Sequence, residues 1–137
     1  VKRWKVALVT GLLSAVVATG LEGCTAGSIS APTSAVDVTT APGSAKSYVG
    51  ARKDVQLSQC NAGEKGTRVT GKVTNPTHER QDYRIYVSII TTSRTLAVRE
   101  VDVADVPAGG SRSWGSTLSA TESDPTCVLR VERTTSA

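Results

Sequence analysis

The sequence predicts an all-β domain over residues 48–137, two antiparallel sheets packed as a small sandwich. Three observations lead there. Apolar residues recur with period two and are rich in valine and isoleucine, the pattern of half-buried strands rather than of amphipathic helices. Six or seven such short strands fit between positions 52 and 133, with no helix of useful length among them. Two cysteines, Cys60 and Cys127, stand on the first and last of these strands, placed to tie them together. A signal helix and a disordered tether are expected to precede the domain.

The signal is read in residues 1–23. Lys2, Arg3 and Lys5 form a basic head, and residues 6–21 form an uncharged run of Leu, Val and Ala. That run is shorter than the roughly 20 residues a spanning helix needs, and Gly11 and Gly20 weaken it further as a permanent span. The valine at position 1 reads as an alternative start codon written literally. The segment Leu21-Glu22-Gly23-Cys24 resembles a bacterial lipobox. Leu21 and Gly23 match the pattern, whereas Glu22 stands where a small or apolar residue is usual. The resemblance implies that the Cys24 thiol takes a diacylglycerol, that the chain is cut before it, and that Cys24 becomes the new N-terminus. The acyl chains would then hold the protein stably on the membrane. Two alternatives stay open: ordinary secretion with a cut before Gly27, and an uncut signal acting as an anchor.

Three cysteines are present. With Cys24 assigned to lipidation, Cys60 and Cys127 remain as an even pair in an exported domain, which reads as one disulfide. Neither belongs to a CxxC pair, so redox catalysis and a thiolate zinc site lack support.

The whole chain carries 16 basic and 12 acidic residues, a net charge of +4. Residues 1–23 account for three of the basic residues and one of the acidic ones, so the remainder carries +2. A nucleic-acid partner needs a clustered basic patch interleaved with aromatics, and none is present. Residues 24–47 are mostly Ser, Thr, Ala, Gly and Pro. They bury too little apolar surface to offset the cost of ordering and are expected to form a flexible tether. Asn75-Pro76-Thr77 is no N-glycosylation acceptor, because proline fills the excluded middle place.

The strands are expected in this order. Residues 52–60 place Val55 and Leu57 on one face; Cys60 has the opposite parity, which calls for a bulge or for a cysteine just past regular pairing. Gly63 and Gly66 mark a turn. Residues 67–75 alternate cleanly, with Val69, Gly71 and Val73 on one face, and Gly71 in that apolar row implies close approach by a large neighbour. Asn75-Pro76-Thr77-His78 is a turn in which the asparagine bonds back to the backbone.

Residues 82–92 form the strongest strand. Tyr83, Ile85, Val87 and Ile89 face one way, and Tyr86 and Ile90 add apolar character to the other, which places the strand mid-sheet. Residues 95–106 change phase between Val98 and Val101, implying a bulge or two short strands. Residues 107–110 reverse the chain. Residues 111–118 carry Trp114, expected to be buried beside the disulfide. Residues 127–133 close the domain with Cys127, Leu129 and Val131 inward and Val128, Arg130 and Glu132 outward. The architecture is immunoglobulin-like, although the midway tryptophan and the tyrosine corner of true immunoglobulin domains are absent.

The run VTGKVTNPTHERQDYRIYVSI, followed by VPAGGSRSW and CVLRVER, resembles the small extracytoplasmic FxLYD-type β-sandwich domain of actinobacterial lipoproteins. The resemblance covers residues 52–133, and the strand that names the type here reads DYRIYV, without phenylalanine. It implies a fold and a place outside the cytoplasm; it implies no reaction.

A catalytic constellation is not legible. There is no GxSxG elbow, no HExxH and no glycine-rich phosphate loop. The sole histidine, His78, reads as a solvated turn residue. The carboxylate pairs Glu79/Asp82 and Asp102/Asp105 read as solvated faces or loops. No enzyme activity, cofactor or metal is therefore expected. The remaining readings are a lipid-anchored, extracytoplasmic binding module for a protein or envelope component, and a structural accessory lipoprotein without a discrete ligand. The partners expected are the membrane, through Cys24, and another envelope protein. An exposed apolar patch of Tyr86 and Ile90 is the candidate binding surface.

Overall fold

The computed structural model describes residues 35–137. The expected signal peptide of residues 1–23, the expected lipidation site Cys24 and residues 24–34 of the expected tether lie outside the described residues. Eight strands follow in order: β1 (Ala35–Asp37), β2 (Val49–Gly50), β3 (Val55–Gly63), β4 (Gly66–Thr74), β5 (Gln81–Ile90), β6 (Thr95–Val106), β7 (Ser111–Leu118) and β8 (Thr126–Thr135). A single 3-10 turn, Arg52–Asp54, leads into β3. It takes the place of the expected strand start, because Asp54 N–H bonds back to Ala51 O.

The strands form two sheets. One has the order β1-β6-β5-β8-β2, the other β3-β4-β7. All pairings are antiparallel except β1 on β6. The two inner faces pack as a sandwich, so the immunoglobulin-like two-sheet fold class holds. The strand from Gln81 to Ile90 is central in the larger sheet, bonded to β6 on one side and β8 on the other. Its odd-numbered residues Tyr83, Ile85, Val87 and Ile89 are all buried. They meet Val69, Val73, Trp114 and Leu118 from the smaller sheet in one core.

Cys60 and Cys127 form the disulfide, with Cα atoms 6.1 Å apart, joining β3 of one sheet to β8 of the other. The parity mismatch at Cys60 is resolved by a bulge: the register with β4 shifts between Leu57 and Gln59. Gly71 sits opposite Trp114 in the β4–β7 register, and an added Cβ there would lie 2.7 Å from the indole ring and 2.3 Å from Gln56 O. The large neighbour implied by this glycine is Trp114. The Gly63–Gly66 hairpin and the Asn75 turn also form as expected. Asn75 is fully buried, and its Oδ1 accepts from Thr77 N at 2.9 Å.

The phase of β6 has a different explanation from a break at its middle. It is one continuous strand with bulges near its two ends, where Leu96 is extra relative to β5 and where Ala104 and Asp105 together oppose the single residue Asp82. Asp105 takes φ 55° there. Between the bulges Ala97, Val101 and Val103 keep one parity toward the core. Val98 lies on the opposite face and is half-buried. The valine changes face while the strand stays continuous.

The tether boundary needs correction. Residues 35–47 are not free tether. Ala35, Val36 and Asp37 pair in parallel with Ala97, Val98 and Arg99. The chain then crosses the outer face of the larger sheet as a strap before entering β2. Two turns shape the crossing, closed by Ser44 N to Ala41 O at 3.1 Å and Tyr48 N to Ala45 O at 3.2 Å. Pro42 and Gly43, the latter with φ 78°, take the central places of the first turn, as a type II turn requires.

Candidate functional site: the strapped outer face of the larger sheet

Strand β5 builds this site from its even-numbered residues, which point away from the core. The registers with β6 and β8 set three rows across the face: Asp102–Arg84–Glu132, Glu100–Tyr86–Arg130 and Val98–Ser88–Val128. Charge thus alternates around one tyrosine, and the apolar row lies at the far end.

The strap binds the first two rows. The Glu100 carboxylate accepts from Thr39 N (3.0 Å), Thr39 Oγ1 (2.9 Å) and Thr40 N (3.0 Å), and Arg84 Nε lies 3.0 Å away. Tyr86 Oη donates to Thr40 O at 2.8 Å. Asp37 pairs with Arg99 Nε at 3.1 Å, and the same guanidinium reaches across the sandwich edge to Thr117 O at 2.9 Å. Gly43 passes so close to Arg130 that a Cβ would stand 2.8 Å from its Nη2. The Arg84 guanidinium stacks over the Tyr48 ring at 5.1 Å, a cation–π contact that fastens the strap's far end.

The electrostatics follow from this packing. Burial alone would raise the Glu100 carboxyl, but the bonds from Thr40 and Thr39 and the Arg84 charge outweigh it and hold it below the ordinary glutamate value. Burial raises the Tyr86 phenol, reinforced by Glu132 and Glu100, and keeps it a donor.

The expected exposed patch of Tyr86 and Ile90 is therefore corrected. Tyr86 is only 2% exposed, because the strap lies over it. Ile90 is half-buried, and the exposed large apolar residues on this face are Val128 and, in register with Val98, Val36. Glu132 points outward as expected yet is 5% exposed. Its Oε1 takes Arg130 Nη2 at 3.2 Å, while its Oε2 is buried without a partner.

Beside the strap an open groove of about 910 Å³ runs between Gly43 and Tyr48 on one bank and Gly50, Asp54, Arg130 and Arg133 on the other. Arg52 and Lys53 stand exposed at its rim. A half-buried network braces its floor: Asp54 Oδ2 takes both Arg133 and the Tyr83 hydroxyl, the latter at 3.0 Å. Burial, then the bond to Asp54 and its charge, pushes the Tyr83 phenol up to about 12 against the opposing pull of Arg133.

His78 is exposed on its turn. Asp82 caps the bulge by accepting from Asp105 N at 2.8 Å, and Asp102 pairs with Arg84, so these carboxylates are engaged in structure. Among the described residues no three His, Cys, Asp or Glu side chains gather as a metal site. What the outer face does chemically is bind backbone: a carboxylate set on consecutive N–H groups and a phenol set on a carbonyl.

Sequence reasoning missed Glu100, Glu132 and the strap. One signal was available, since Ala41-Pro42-Gly43-Ser44 carries type II turn chemistry inside the supposed tether. No family model, no curated protein and no solved structure matches the chain.

Proposed function

We propose that the protein is a non-catalytic binding module, held on the outer face of the bacterial cytoplasmic membrane by a lipid on Cys24, that takes a polypeptide or other envelope component along the outer face of its larger sheet. The observation that carries this reading is the contact set of Glu100 and Tyr86. Both side chains are aimed at main-chain groups of an extended segment, which is how a surface recognises a chain irrespective of its side chains. The groove beside the strap continues that surface into solvent, with cationic side chains at its rim. The lipobox resemblance of Leu21-Glu22-Gly23-Cys24 and the resemblance to the FxLYD-type domain support the place and the class.

Two measurements test it. Intact-mass spectrometry of the membrane fraction should show the acylated mature chain for wild type and its loss for Cys24→Ser. An unacylated, soluble wild-type protein would sink the anchoring. For the binding surface, a photo-crosslinker at Lys53 on the groove rim should capture a discrete partner in cells, while one at Arg68 on the opposite sheet should not. Equal silence from both positions would leave the accessory role.

A further inference from the structure

The strap is held in an unusual way. Its own side chains at Ala35, Val36, Asp37, Thr39 and residues 41–44 are exposed. It buries almost nothing of itself; what it buries is the face beneath. Tyr86 and Glu132 become 2% and 5% exposed, and Glu100 takes three strap donors. A segment with few buried apolar contacts opens locally at low cost, while the face it leaves loses the partners of a tyrosine, a glutamate and an arginine. Such a face favours an occupant that reproduces the same contacts: an acid opposite Arg99, two successive N–H groups opposite Glu100 and a carbonyl opposite Tyr86. A second copy of this chain carries that segment by definition.

We propose that the strap also docks in trans, with residues 35–43 of one copy lying on the strapped face of another, β1 pairing with the other copy's β6. The contacts of residues 35–43 with the face form equally on a second copy, and only the bonds of the two hinge turns open, which is why exchanging an identical element is a low-cost route to a dimer. The hinge is residues 43–48. Gly43 holds φ 78° in the closed turn, and straightening the two turns lets residues 44–48 span about 17 Å at the extended rise per residue. Lipid anchoring, where the proposed function holds, confines copies to one plane and raises their encounter frequency; the exchange itself does not require it.

The register supplies the test, because Val36 and Val98 are Cα partners. Full-length chains bearing Val36→Cys are mixed with differently tagged chains bearing Val98→Cys and oxidised gently. Peptide mapping should find a 36–98 bond between the two populations. Ser44→Pro, which removes the N–H that closes the first turn and keeps the hinge at full length, should raise that cross-linked fraction severalfold, and Glu100→Ala should lower it. Sedimentation of the Ser44→Pro chain is an independent readout, with a dimer expected. The proposal is overturned if the double variant closes within one chain while the mixed singles give no 36–98 bond, or if the Ser44→Pro chain stays monomeric. Running Cys24→Ser chains at high concentration beside chains on phosphatidylglycerol vesicles separates the two ideas. Failed anchoring removes only the vesicle enhancement, whereas failed exchange removes the 36–98 bond in both.

Discussion

Gly71 and Trp114 face each other in register on β4 and β7, and the indole occupies the space in which any side chain at position 71 would start. The ring is 6% exposed, and its Nε1 has no hydrogen-bond partner, so its contribution comes from packing alone. Gly71→Ala should cost about 3 kcal/mol, the upper part of the range for overpacking. Trp114→Ala should cost about 3–5 kcal/mol through the cavity it leaves. Urea melts of both and of the double variant check this. The alanine at 71 should cost less in the Trp114→Ala background, and it should keep a residue of its cost because Gln56 O stands 2.3 Å from the new Cβ.

Asn75 ties its own turn to the end of β6 through one side chain. Its Nδ2 donates to Glu79 O at 2.7 Å, Val106 O at 2.9 Å and Pro107 O at 3.2 Å. Asn75→Ala leaves those carbonyls short of a donor in a fully buried place and should cost about 3 kcal/mol. Asn75→Asp keeps the acceptor for Thr77 but supplies no donor. It should be at least as damaging near neutral pH, and thermal melts of the two variants compare them directly.

Strap docking should depend on pH through Glu100. Its folded value is lowered, so the docking it contributes is complete above the ordinary glutamate value and is lost as pH falls through the lowered one. Arg84, which also faces Asp102, stays charged throughout this window. Hydrogen exchange at Thr39 and Thr40 N–H, corrected for intrinsic rate, reports it. Protection should fall on acidification in wild type, and Glu100→Gln should start low and stay flat.

The Cys60–Cys127 bond closes 67 residues between the two sheets. Replacing both cysteines by serine should cost roughly 4 kcal/mol on the chain-entropy account. Chemical denaturation with and without reductant checks it, and the oxidised wild type should show the higher midpoint.

Alternation along the chain determined the strands of this protein, and the reason is local. Each residue's side relative to its neighbours is set by a period of two, so the buried row Tyr83, Ile85, Val87 and Ile89 was readable from position alone, as was the crowding at Gly71. The Cys60–Cys127 pair followed from count, and parity offered a bulge before Cys60 as one of two readings, of which the register shift between Leu57 and Gln59 is the outcome. Which outward residues stay in water is not a local property. Tyr86 lies outward by period yet is covered by Thr40, 46 positions away, and Glu100 is bonded by Thr39, 61 positions away. The apolar residues of the strap, such as Val36, Val38 and Ala41, are isolated and none is fully buried, so they do not announce that it docks. It is ordered by polar groups that meet only once β5, β6 and β8 are side by side. Only the tertiary structure, by assembling that face, could turn a stretch that reads as tether into part of the site.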